Sequence, residues 1–191
     1  MIESVAEKTY AGTTISDIVA RASVSRTTFY KRFVDKRTCF DATLARCIRA
    51  LQSVAGGAFD PGDPPPVALH KSAKAVLDFL ASEPGLAHLV MGEAVTVEPA
   101  TFGAYRDHLV PHVRALWETN GKQPKAYADP QLALGRAQVL IFNKIAAGET
   151  ASLPDLLPEI VYLVVLPFGG HRMALEQAGL SGVANAESVP G

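Results

Sequence analysis

The stretch that decides the fold class is Thr13-Thr14-Ile15-Ser16-Asp17-Ile18-Val19-Ala20-Arg21-Ala22-Ser23-Val24-Ser25-Arg26-Thr27-Thr28-Phe29-Tyr30-Lys31-Arg32-Phe33. Ile15, Ile18, Val19 and Ala22 fall at i, i+3, i+4 and i+7, which gives a short helix one apolar stripe. Thr14 stands where an N-cap belongs, and Asp17 follows three residues later, where an acid complements the helix dipole. Ser23-Val24 makes a tight turn. Ser25 then caps a second helix, read over 26–33, whose inward positions Phe29 and Phe33 are i, i+4. Two short helices joined by a turn of three or four residues over a small apolar core form a helix-turn-helix.

The outward side of the second helix carries Arg26, Thr27, Thr28, Tyr30, Lys31 and Arg32, with no acid among them. A solvated helix usually balances its charges; this one does not. Hydroxyls near a helix start suit phosphate, Tyr30 can reach a sugar-phosphate backbone, and an arginine such as Arg26 can read guanine in a major groove.

Working outward, the charge of the whole chain is divided in the same sense. The first 50 residues hold nine basic and five acidic side chains; the remaining 141 hold nine and fourteen, for a net charge of -1 over 191 residues. A basic module joined to an acidic one suits a reader of polyanions. With 48% hydrophobic and 19% charged residues the chain can bury a core and is not disordered by composition. Strand-like alternation is nearly absent. The pattern predicts helices near 2–10, 15–22, 26–33, 36–55, 67–82, 85–95, 100–119, 130–148 and 154–178, with a loop through the Gly- and Pro-rich residues 56–66, and so an all-α fold. Cys39 and Cys47, about 12 Å apart on one helix, are too distant for a disulfide and fit reduced thiols in the cytoplasm. No leader is legible at Met1, and the longest apolar run, 160–168, is about half the length a membrane span needs.

Residues 13–44 resemble the DNA-binding region of the TetR-type bacterial transcription regulators. The resemblance rests on Thr14-Ile15-Ser16-Asp17-Ile18, Ala22-Ser23-Val24-Ser25, Thr28-Phe29-Tyr30, Phe33, and Lys36 followed by Phe40 and Leu44. It implies an N-terminal three-helix domain, taken as residues 1–46, and a larger helical effector-binding and dimerisation domain over 47–191. It implies further that Thr14, Ser25, Tyr30, Lys31 and Lys36 contact phosphates, that Arg26, Thr27 and Thr28 face bases, and that Val24, Phe29 and Phe33 hold the recognition helix in place. Three departures stand out. Ser23 occupies a turn position where the family usually has Gly, and a positive φ there costs on the order of 1 kcal/mol. Val19 replaces the usual Ala at a tight helix crossing. The first helix starts late and depends on packing, since a helix of under about ten residues is marginal alone.

The C-terminal portion should then supply a dimer surface, because paired half-sites lie about 34 Å apart. Residues 137–142 and 160–166 are apolar on nearly every side, which asks for burial on more than one face. The family forms its dimer bundle from its last two long helices. Pro167 and Gly169-Gly170 should interrupt the last helix, and Ser152 is placed to cap it. Pocket walls are sought between 67 and 120 and on the next helix: His88, Met91, Phe102, Tyr105, Trp117, Phe142 and Asn143, among them a polar amide, Asn143, that needs a partner either in a cavity or across a dimer. His108 and His112, at i, i+4, could share a metal, but Pro111 lies between them and no third ligand is evident.

The expected protein is a cytoplasmic, ligand-responsive DNA-binding transcriptional regulator and not an enzyme. It acts as a homodimeric repressor on a palindromic double-stranded operator, with a small-molecule effector, no cofactor, no metal and no membrane partner. The alternatives are a helical interaction protein whose DNA binding has degenerated, and a small metal-dependent hydrolase.

Overall fold

The computed structural model describes residues 1–58, 60, 62–100, 103, 109–110, 113–114 and 129–180. Among these the regular elements are all helical. They are α1 (Ile2–Gly12), α2 (Ile15–Arg21), α3 (Arg26–Tyr30), α4 (Lys36–Gly57), α5 (Pro65–Ser82), α6 (Pro84–Ala87), a π-helical turn (His88–Glu93), α7 (Ala94–Val97), α8 (Pro130–Ala146), a 3-10 segment (Thr150–Leu156) and α9 (Leu157–Gln177).

Local chemistry accounts for most of the starts. Thr14 accepts from the Asp17 N–H while Asp17 accepts from the Thr14 N–H, a complete capping box at α2. Ser25 Oγ accepts from the Thr28 N–H at 3.0 Å and opens α3. Asp35 does the same for α4 through the Thr38 N–H at 2.7 Å. That last cap explains why α3 ends at Tyr30 instead of running to residue 33. The chain must extend by Asp35 to begin α4, so residues 31–33 are left as a tightened turn on the Phe29 carbonyl. The positive φ considered for Ser23 is present, at 54°.

A small core of Ile18, Val19, Phe29 and Cys39, with Ile15 and Phe33 against it, binds α2 and α3 to α4. Val24 is not part of it: at 41% exposed it faces solvent, because the Ser23 turn directs it away, and it does not support α3. The larger core begins at Val5 on α1 and follows Phe40, Leu44, Cys47, Ile48 and Leu51 along α4 to Leu77 and Leu80 of α5, Leu89, Val90 and Met91 of the π turn, and Leu153. Helix α4 therefore runs unbroken through residues 46 and 47 and contributes to both cores. A third cluster gathers Val161, Val164, Val165, Ala174 and Ala178 around α9.

Two segments differ from the plain helices expected, and a third breaks where the sequence predicts. Residues 84–97 form α6, the π turn and α7 in succession. Residues 150–156 are 3-10, with Pro154 inside; Ser152 donates its hydroxyl to the Glu149 carbonyl and does not cap the last helix, which starts at Leu157. The last helix breaks at Gly170 (φ 73°, ψ 176°), as Pro167 and the glycine pair require. By length and composition alone Thr150–Pro167, with mean hydropathy 1.3, is apolar enough to cross a membrane; Leu153, Ile160, Val161, Val164 and Val165 in it are buried.

Candidate nucleic-acid interface

Helix α3 has one inward side chain, Phe29, 4% exposed, with its ring 5.5 Å from that of Phe33 and 5.4 Å from that of Tyr30. Burying that ring turns Arg26, Thr27, Thr28, Tyr30 and Lys31 outward, and all five are exposed. Tyr30 is held edge-on by Phe29 and so is a directed, not a wandering, phenol. The Ser25 and Thr28 hydroxyls lie 2.9 Å apart, and the Arg26 guanidinium reaches back to the Ser16 hydroxyl on α2, which fixes α3 against its neighbour.

Electrostatics sort the charges of this region. Every acid in the first 50 residues has a partner: Glu3 and Glu7 pair with Arg21, Asp17 with Lys8, Asp41 with Arg37, and Asp35 caps α4. The Lys8 ammonium and the Thr14 hydroxyl hold the Asp17 carboxyl well below the usual carboxylate range. The Thr38 backbone and hydroxyl do the same for Asp35. Arg26, Lys31 and Arg32 have no acidic partner among the described residues, so the positive potential is concentrated on α3 and the turn after it.

Besides Ser25 and Arg26, two further expected contact residues are partly engaged inside the chain. Thr14 donates its hydroxyl to Asp17 at 2.7 Å and accepts from the Asp17 N–H at 3.2 Å. The half-buried Lys36 gives two N–H bonds to the carbonyls of Tyr10 (2.8 Å) and Thr13 (2.9 Å) and lies 4.3 Å from the centre of the Tyr10 ring. One ammonium hydrogen remains for an outside acceptor.

Of the sought pocket residues, the structure describes His88, Met91, Phe142 and Asn143, and these four do not meet in one place. Met91 is 4% exposed in the large core. His88 is half-buried, and its Nε2, shielded from solvent without a hydrogen bond, is 3.6 Å from Glu93 Oε1. Phe142, at 43% exposed, and Asn143 lie on the outer side of α8, so the Asn143 amide is met by solvent and needs no partner inside the domain. Phe102, Tyr105 and Trp117, with the His108 and His112 pair, lie outside the described residues. A cavity of about 470 Å³ opens elsewhere, between α8 and α9, against Leu132, Arg136, Leu166, Gly170 and His171. Sequence reasoning passed over Tyr10 and Glu93, whose contact spans 83 positions and leaves no local signal.

Residues 2–43 match the model of the bacterial regulatory proteins of the tetR family. No curated protein matches the chain. Among solved structures the fold is similar to a protein of Clostridium perfringens proposed to regulate fatty acid metabolism, at 18% identity over 88% of this chain and 94% of that one, with a TM-score of 0.64. It is also similar to the transcriptional regulator FadR from Bacillus subtilis in complex with stearoyl-CoA, again at 18% identity over 88% and 94%, with a TM-score of 0.58. At such identities the likeness is one of fold. The residues that match the tetR-family model are the ones that build the capped helix-turn-helix, and the helical domain behind it shares its fold with these regulators.

Proposed function

We propose that this chain is a homodimeric repressor of the cytoplasm that sets α3 in the major groove of a palindromic operator and leaves it when a small effector binds. The observation that carries the reading is the sorting of charge: the acids of the first 50 residues are all engaged within the chain, by Lys8, Arg21, Arg37 or a helix cap, while Arg26, Lys31 and Arg32 face outward beside Tyr30. In this reading Thr14, Ser25, Tyr30 and Lys31 bind phosphate, and Lys36 adds its one remaining N–H. Arg26, Thr27 and Thr28 face base edges.

The second half of the reading is the pairing of subunits. On α8, Ala137, Ile141 and Ile145 are buried in the domain, whereas Leu132 (51% exposed), Val139 (56%) and Phe142 (43%) form an apolar stripe on the opposite side. Such a stripe suits a second copy of the chain, with Asn143 beside it to hydrogen-bond across the two-fold axis. FadR of Bacillus subtilis was captured with stearoyl-CoA, so a long-chain acyl thioester is the effector class to try first, against walls drawn from His88, Met91, Phe102, Tyr105 and Trp117. The domain division at 46/47 then separates a DNA-reading head from an effector-reading body, with α4 as the shared strut.

Selection of bound sites from a random duplex pool tests this directly. Two inverted half-sites about one DNA turn apart are expected. Tyr30→Ala and Lys31→Ala should weaken binding to all selected sites and flatten its salt dependence, while Arg26→Ala should change the preferred base. A pool that fails to enrich at low salt, with the dimer intact, would replace this reading by that of an interaction protein.

A further inference from the structure

The segment from His88 to Glu98 touches the DNA-binding head at two carboxylates. Glu93, the last residue of the π turn, accepts the Tyr10 N–H at its Oε2 (3.1 Å). Glu98, just past α7, pairs with the Arg37 guanidinium in the first turn of α4, and Arg37 also holds Asp41 at 2.9 Å. Tyr10 offers its N–H because α1 loses its helical angles at Thr9 (φ 62°, ψ 167°). From Tyr10 the chain of contacts continues inward. Its ring packs on Phe40 at 4.8 Å, its carbonyl accepts from Lys36, and Lys36 also ties down Thr13, the residue before the α2 cap. Glu93 thus reaches the start of α2 through the Tyr10 backbone and the Lys36 side chain.

The turn that carries Glu93 is the least ordinary element of the fold. A π-helix closes each hydrogen bond over one residue more than an α-helix, is rare, and is frequent at functional sites. Moving such a turn into α register shifts everything after it by one residue, about 100° around the axis. Its two anchors would then leave Tyr10 and Arg37 together. On the other side of Glu93, the Oε1 faces His88 at 3.6 Å, with the His88 Nε2 buried and unpaired, so the same carboxylate has a second position available.

We propose that the π turn His88–Glu93 is a two-state latch: in the π register Glu93 and Glu98 clasp the head through Tyr10 and Arg37, and in the α register both let go. This rests on the reading of the chain as an effector-responsive regulator, and it names the element that an effector on the body would shift. The latch gives the α2–α3 unit a fixed seat when closed; opening frees Lys36 and the Thr13–Thr14 corner.

Hydrogen exchange followed by mass spectrometry on the full-length protein, without DNA or effector, tests the latch alone. Glu93→Ala should speed exchange in peptides covering residues 8–14 at least tenfold and leave α8 at the parental rate. Glu93→Gln, which keeps an acceptor for the Tyr10 N–H, should lie between the two and guards against a variant that misfolds. Glu149→Gln, which removes a surface pair with Lys144, should change neither region. Parental exchange at residues 8–14 in folded Glu93→Ala overturns the latch. A second measurement separates the latch from the regulator reading: binding to the selected duplex with and without stearoyl-CoA. If the thioester weakens parental binding tenfold, Glu93→Ala should reduce that factor to twofold or less, and an undiminished factor overturns the latch. If it has no effect on the parent, the effector class is wrong and the exchange result stands by itself.

Discussion

Helices α1 and α9 break at almost the same backbone angles, Thr9 at φ 62° and ψ 167° and Gly170 at φ 73° and ψ 176°. Both sit in a region that only glycine enters freely. In α9 the residue suits the angles, and a Cβ built at Gly170 has nothing within 4 Å. The break there is written into the local sequence, with Pro167 in support. In α1 a β-branched residue holds the strained angles, so the break is imposed from outside by what the chain gains beyond it. Those gains are the Tyr10 N–H on Glu93, the Thr9 carbonyl accepting both the N–H and the hydroxyl of Thr13, and the Tyr10 ring on Phe40. Of two similar bends, one is a property of a residue and the other of a neighbourhood.

The strongest way to break this contrast is to remove the neighbourhood. Phe40→Ala deletes a wholly buried ring on which Tyr10 rests, and a loss of about 3–5 kcal/mol is expected in denaturant unfolding. Exchange at residues 2–14 should rise more than at 157–177. Next comes Gly170→Ala, where space is open and only the backbone resists; it should cost about 1–3 kcal/mol, seen as a lowered thermal midpoint. The reciprocal change sharpens the contrast: Thr9→Gly keeps the bend, releases its strain, and should raise stability by roughly 1 kcal/mol after the added chain entropy of glycine is deducted. A stability loss instead would mean that the angle carries no strain worth relieving. The smallest effect is on pH. Asp17 and Asp35 have carboxyls held below their usual range by hydrogen bonds in the head. A depressed folded value stabilises above the unfolded one, near 4, and that contribution is lost as pH falls through and below it. Acid titration followed by hydrogen exchange should therefore loosen residues 13–38 while neutral and mildly acidic solution leaves them unchanged.

The same distinction decides what could be read from residues alone. Thr14, Ser25 and Gly170 act on atoms within a few positions of themselves, so capping, turning and breaking were legible without a fold. Ser23 was legible only through the family resemblance, which places Gly at that turn position, and its φ of 54° agrees. The helix near 85–95 read as one plain helix because nothing in Gly85-Leu86-Ala87 or in the apolar Leu89-Val90-Met91 distinguishes an α from a π hydrogen bond; the choice is made by packing on α1. Gly85 belongs to that packing, for a Cβ there would come within 3.0 Å of Ile2. For Asn143 the sequence left a cavity and a dimer seam open, because α8 is apolar on both sides and composition cannot say which side meets the domain. At the interface, the residue types on α3 were plain, but the internal engagement of Lys36 and Arg26 depends on neighbours from other helices.

The two thiols have a practical consequence. Cys39 lies in the small core under α3 and Cys47 in the large core, each 4% exposed or less, and burial pushes both thiols up from their ordinary range. Neither will react with an alkylating reagent until the structure around it opens. The protein therefore carries a pair of built-in clocks: modification of Cys39 times the breathing of the head, modification of Cys47 times that of the body, and the ratio of the two rates reports whether they open separately or as one.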